Sequence, residues 1–193
     1  MRPRTKPTEE RRADLLDAAE HLALERGVDG ITVDQITART GVSKGTFYLY
    51  FDSKDQVLQA LRDRYVTAFM RRQAEAVAGA TDPVARVEVW ATAGLEDYVR
   101  DHTLHDVIFQ HRPTSPTPAG PTPIAALTRL LQEGIDAGAF HLPAPEATAT
   151  VIYHAMHGTA DHLIHTAGPR QAVIEELRHL CRALLTSTRP GGH

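Results

Sequence analysis

One stretch constrains this chain more than any other: Gly41-Val42-Ser43-Lys44-Gly45-Thr46-Phe47-Tyr48-Leu49-Tyr50-Phe51, with Lys54 just beyond it. It reads as the turn and second helix of a helix-turn-helix. Gly41 stands where a tight inter-helix turn needs a residue that tolerates positive φ. Ser43 is placed to cap the next helix by accepting a bond from an unpaired backbone N–H. Phe47 and Phe51 are four apart, share one face, and would anchor the short helix to the domain beneath it. Lys44 and Tyr48 form a second such pair, turned roughly 60° from the buried face at about 100° per residue. Gly45 and Leu49 then point away from Phe47. A leucine with nothing behind it is out of place in a purely structural helix, but suits one that meets thymine methyl groups in a major groove.

The residues before this stretch complete a small three-helix domain. Thr8 caps a first helix, with Glu9 and Glu10 in its first turn, where the helix dipole favours negative charge. Leu15, Ala18, Ala19, Leu22 and Ala23 form its apolar stripe, and Gly27 ends it. Thr32-Val33-Asp34-Gln35 is a capping box that opens a second helix running to about Thr40, with Ile31, Val33 and Ile36 as its buried contacts. Residues 1–7 carry three positive charges and two prolines, which suits either a disordered leader or an arm that enters a minor groove.

Charge is distributed in a way that matches this reading. The chain of 193 residues has a net charge of −3, yet residues 1–75 hold 13 Lys and Arg against 12 Asp and Glu, while residues 76–193 hold 8 against 12. Positive charge gathered at one end fits a local nucleic-acid footprint better than a membrane surface. Cys181 stands alone and cannot form an internal disulfide, which points to a reducing compartment. No apolar run follows the basic N-terminus, and no stretch approaches the ~20 apolar residues of a membrane span. These observations place the protein in the cytoplasm, away from membranes.

The remaining chain reads as helices throughout. Ser53 and Gln56 form a second capping box, opening a long helix with Val57, Leu58, Leu61, Tyr65 and Phe69 on one side and an end near Gly79. This helix leads out of the DNA-binding unit and is the natural lever between the two parts. Asp82-Pro83 starts another helix, to about His102, and a short one follows over 104–111. Residues 112–123 hold five prolines and read as a loop. Ile124, Leu127, Leu130, Leu131 and Ile135 mark the next helix, ended by Gly138. Two long helices, about 146–166 and 170–187, close the chain before a disordered tail.

The segment from Gly30 to Leu58 closely resembles the DNA-binding signature of the TetR family of transcriptional regulators, specifically over roughly residues 10–60 and architecturally beyond. The resemblance implies an all-α fold of about nine helices. Residues 1–54 would be the three-helix helix-turn-helix domain with its basic arm, 55–188 a helical ligand-binding and dimerisation domain, and 189–193 a tail. It implies a homodimer through the last two helices, double-stranded operator DNA as partner, a small-molecule effector that releases a repressor from a palindromic operator, and no cofactor or enzymatic activity. By residue, Thr32, Tyr48, Tyr50 and Lys54 match positions that touch phosphates, and Ser43, Lys44, Gly45, Thr46 and Tyr48 match the face that reads bases. The chemistry agrees: Lys44 can donate to guanine O6 and N7, Gly45 allows close approach, and Lys54 at a helix N-terminus can grip a phosphate. Packing at the domain edge is the competing role for Tyr48 and Tyr50, and plain solvation for Lys54.

Trp90, Tyr98, His102, Phe109, Tyr153 and His157 are the candidate lining of a mostly apolar effector cavity, with His105 and His111 nearby. His154, His157, Asp161 and His165 fall on one side of a helix and suit a dimer seam; a metal- or pH-responsive site is the alternative. A helical-bundle metalloenzyme would need two Glu-x-x-His motifs, and the chain has only Glu176-Leu177-Arg178-His179. It has no Gly-x-Ser-x-Gly, no phosphate loop and no nucleophilic cysteine arrangement.

Overall fold

Local signals place most helix ends, and the computed structural model follows them; it describes residues 8–109, 122–166 and 168–186. Eight helices and no strand occur among these residues: α1 (Thr8–Arg26), α2 (Val33–Thr40), α3 (Lys44–Phe47), α4 (Lys54–Ala78), α5 (Pro83–Phe109), α6 (Pro123–Asp136), α7 (Pro145–His165) and α8 (Arg170–Thr186). The expected basic arm, most of the proline-rich loop, His111 and the tail lie outside the described residues. No described helix is long and apolar enough to cross a membrane.

The chain forms two compact units. The first holds the described residues up to Tyr65 together with the end of α5 from Thr103; the second holds Val66–His102 and the described residues from Thr122 on. α4 and α5 each contribute to both.

In the first unit, Leu15, Ala19, Ile31, Ile36, Phe47 and Phe51 are almost fully buried in one cluster. The Thr32 capping box is complete: the hydroxyl accepts from the Gln35 N–H, and the Gln35 side chain accepts from the Thr32 N–H at 2.9 Å. Gly41, at φ +68°, turns α2 into α3 and donates its N–H to the Thr37 carbonyl; an L-residue with a side chain would be strained there. Three arginine contacts tie the elements together. Arg64 of α4 reaches Asp17 and Glu20 of α1, each at 2.6 Å, and Arg62 Nε donates to the Ile108 carbonyl at 2.7 Å.

In the second unit, Trp90, Ala91, Leu95, Leu127, Leu131, Ile152, Met156, Leu177 and Cys181 form the core. Gly134 is required there: a Cβ at this position would sit 2.2 Å from the Phe140 ring, so only glycine lets that ring close the α6–α7 corner. Glu88, almost fully buried, receives a two-pronged bond from Arg182 at 2.6 and 3.0 Å, which satisfies its charge. Burial pushes the neighbouring Cys181 thiol up to about 11, so it remains protonated and inert.

Four local expectations are corrected. The helices expected over 83–102 and from 104 on are one helix over Pro83–Phe109, because residues 95–109 contain no glycine or proline to break it, which leaves eight helices among the described residues. Thr8 lies within α1 rather than outside it as a cap. Ser53 caps α4 as expected, but Gln56 reaches back to the Asp52 N–H, one residue earlier than a capping box requires. Finally, α3 is a helix only over Lys44–Phe47; Tyr48–Tyr50 continue as a tight turn whose N–H groups bond three to four residues back.

Candidate nucleic-acid interface

α3 is held from below and open above. Phe47 is fully buried and packs against Phe51 at 5.8 Å between ring centroids, so the short helix is fixed by one face. Ser43 Oγ accepts from the Thr46 N–H at 3.1 Å and lies 3.0 Å from the Thr46 hydroxyl, which orders the first turn and aims both hydroxyls outward. Tyr48 is 53% exposed and Leu49 81% exposed. Two large apolar or amphipathic side chains are thus displayed over a rigid base.

The glycine at position 45 is not demanded by the protein. Its φ is ordinary, it is exposed, and an added Cβ would meet nothing nearer than Ser43 Oγ at 3.7 Å. Gly45→Ala should therefore raise thermal stability slightly, by about 0.5–1 kcal/mol, while impairing whatever approaches this face. A melting curve and a binding assay on the same variant check both signs.

The remaining expected contacts separate into three situations. Lys44 Nζ lies 2.7 Å from Asp34 Oδ1, an exposed pair that joins α3 to the first turn of α2. Lys54 is neither buried nor simply solvated: its ammonium donates to the Val28 carbonyl at 3.2 Å, pinning the turn after α1. Two N–H bonds of that ammonium remain for another acceptor. Tyr50 is half-buried against the core of the first unit, whereas Thr32 is exposed at the start of α2. Thr32, Ser43, Lys44, Gly45, Thr46, Tyr48 and Leu49 are therefore on the accessible surface of one unit, with Lys54 and Tyr50 half-covered at its edge.

The candidate effector residues are only partly brought together. In the second unit, His157 sits between two phenol rings, 4.3 Å from Tyr98 edge-on and 5.1 Å from Tyr153. Trp90 is buried in the same core, and His102 is half-buried with Nδ1 2.9 Å from the Val99 carbonyl. Phe109 belongs to the first unit, where it meets His105 at 4.7 Å and Tyr65 at 5.9 Å. Two features were missed by sequence reading. A surface cleft of about 850 Å³ is lined by Thr128, Pro145, Glu146, Thr150 and Val151. Gln73 is 99% buried, its Nε2 bonded to the Trp90 carbonyl at 3.0 Å and its Oε1 without a hydrogen-bond partner among the described residues. Gln73 is one of three glutamines in α4, and its spacing in the sequence gives no sign of this.

The metal alternative does not assemble. Among the described residues no three His, Cys, Asp or Glu side chains are grouped to hold an ion. His154 and His165 are eleven residues apart, roughly 16 Å along a helix at 1.5 Å per residue, too far to share one metal. His157 is turned into the tyrosine rings, while His165 Nδ1 meets the Asp161 backbone carbonyl at 2.9 Å.

A short, outward-facing second helix set on a buried phenylalanine, joined to an all-helical second unit, defines a helix-turn-helix protein with an additional helical domain. Residues 15–61 match the family described as bacterial regulatory proteins, tetR family. By sequence it is similar to the HTH-type transcriptional regulator HbdR of Aromatoleum sp. (strain CIB), 34% identical over 101 residues, 51% of this chain and 44% of that protein. It is also similar to the HTH-type transcriptional repressor KstR2 of Rhodococcus jostii (strain RHA1), 31% identical over 48% of this chain and 46% of that one. The chain thus spans about half the length of the curated relatives it matches. A solved protein of unknown function from Rhodococcus sp. RHA1 shares the fold over 97% of this chain and all of its own, with a TM-score of 0.82 at 21% identity.

Proposed function

We propose that the chain is a ligand-responsive repressor that binds a palindromic operator as a homodimer in the cytoplasm. In this reading residues 1–54 read DNA and residues 55–188 hold the effector and the dimer contact. The observation that carries it is the fully buried Phe47 beneath an exposed Ser43–Leu49 surface, a helix rigid on one side and free on the other. Thr32, Tyr48, Tyr50 and Lys54 take phosphates, and Ser43, Lys44, Gly45, Thr46 and Tyr48 meet base edges.

The dimer proposal is supported by side chains left uncovered on the last two helices. Val151 on α7 and Leu180 and Leu184 on α8 are 57%, 52% and 41% exposed, although the opposite faces of both helices are in the core. Gly158 on the same side of α7 has no neighbour that a Cβ would meet, so a second helix can approach closely. The effector proposal rests on the Tyr98–His157–Tyr153 group with Trp90 and His102 in the second unit, apolar surface with a few polar atoms. Because α4 and α5 run through both units, a ligand that shifts either helix acts on the DNA-reading head and its bound operator.

Gel retardation of DNA from the protein's own upstream region tests the reading. Pure protein should retard a palindromic site as a dimer. Lys44→Ala should change which sequences are preferred, whereas Lys54→Ala should weaken all sequences alike, roughly tenfold, because a phosphate contact carries no base information. Failure to retard any palindromic duplex would end the proposal.

A further inference from the structure

Asp34 is the discordant residue on the candidate DNA face. The other exposed polar side chains there are hydroxyls, a phenol and a lysine, all of which suit a polyanion, and a carboxylate does not. It is nevertheless held in a fixed place. Asp34 lies in the first turn of α2, whose start is locked by the Thr32–Gln35 capping box, and α3 is locked to α2 by the Gly41 turn and by Phe47. The two frames set Asp34 Oδ1 2.7 Å from Lys44 Nζ, with both side chains more than half exposed. The Asp34 hydrogen bond also holds the Lys44 ammonium more firmly in its charged form.

We propose that Asp34 determines DNA specificity through Lys44, the two side chains forming one unit that recognises a guanine together with a cytosine amine; this rests on the DNA-binding reading above. Away from its site, the carboxylate neutralises Lys44 and faces the phosphates with like charge, so random duplex is held weakly. At the right step, one ammonium N–H remains on Asp34 while the others reach guanine O6 and N7. The second carboxylate oxygen accepts from a cytosine N4 amine in the same groove. Only a sequence offering both groups repays bringing a carboxylate into the groove.

The test compares wild type, Asp34→Asn, Asp34→Glu and Lys44→Ala by selection from a random duplex library. Each is followed by titration of its best duplex and of a random 30-base-pair duplex over a salt series. Asp34→Asn should bind the random duplex roughly tenfold tighter, with a salt slope steeper by about 0.9 for each head, since a freed lysine releases a counterion. It should lose the G·C preference at one position of each half-site. Asp34→Glu should keep the wild-type salt slope but shift that base preference, which a merely structural carboxylate would not do. Unchanged preference and slope in Asp34→Asn, with Lys44→Ala still altering preference, would overturn the role of Asp34 alone. If wild type enriches no duplex, the DNA-binding reading falls, and this assignment with it.

Discussion

Phe47→Ala should lower the stability of the first unit by about 3–5 kcal/mol, the cost of emptying a fully buried aromatic site. Phe47 is the buried residue of α3, and its ring contacts Phe51 and the edge of Tyr48. A four-residue helix has no stability of its own, because its nucleation cost is not repaid by so few bonds. DNA binding should therefore vanish together with the ordered display of Ser43, Thr46 and Tyr48. Denaturant unfolding of the full chain and gel retardation measure the two consequences. Phe47→Leu, which keeps most of the volume, should restore much of both. Retention of full DNA binding by Phe47→Ala would mean that α3 is not the reading element.

DNA affinity should fall about tenfold between 50 and 200 mM monovalent salt, from Lys54 of two heads alone. Two phosphate-bound lysine charges give a slope near −1.8 in log K against log salt. Any further cation that reaches the duplex steepens it. Lys54→Ala should flatten the slope by about 0.9 for each head, a signature distinct from that of Asp34→Asn, which steepens it on random DNA. Fluorescence anisotropy over a salt series reads both. A salt-independent affinity would show that phosphate contacts do not hold the complex, contrary to the charge gathered at residues 1–75.

The parts of this fold legible in the sequence are those whose causes lie within four residues of each other. The Thr32–Gln35 box, the Ser43 cap, the Gly41 turn and the i, i+4 pairing of Phe47 with Phe51 each depend on local spacing, and the structure contains each of them. The all-helical class follows from the same signals. The expected division near His102 does not occur, because residues 95–109 contain no glycine or proline to end the helix.

Sequence alone determined that this chain places a capped, aromatic-anchored second helix after a glycine turn, and that further helices follow it among the described residues. Tertiary structure alone decided that Lys44 meets Asp34, that Lys54 is tied to the Val28 carbonyl 26 residues away, and that Phe109 sits with Tyr65 rather than with Tyr98. It also left the Gln73 acceptor without a partner among the described residues, inside an apolar core. The difference is physical. Caps and turns are settled by backbone groups in one turn of chain, whereas distant pairs form only after packing has met the entropy of closing long loops.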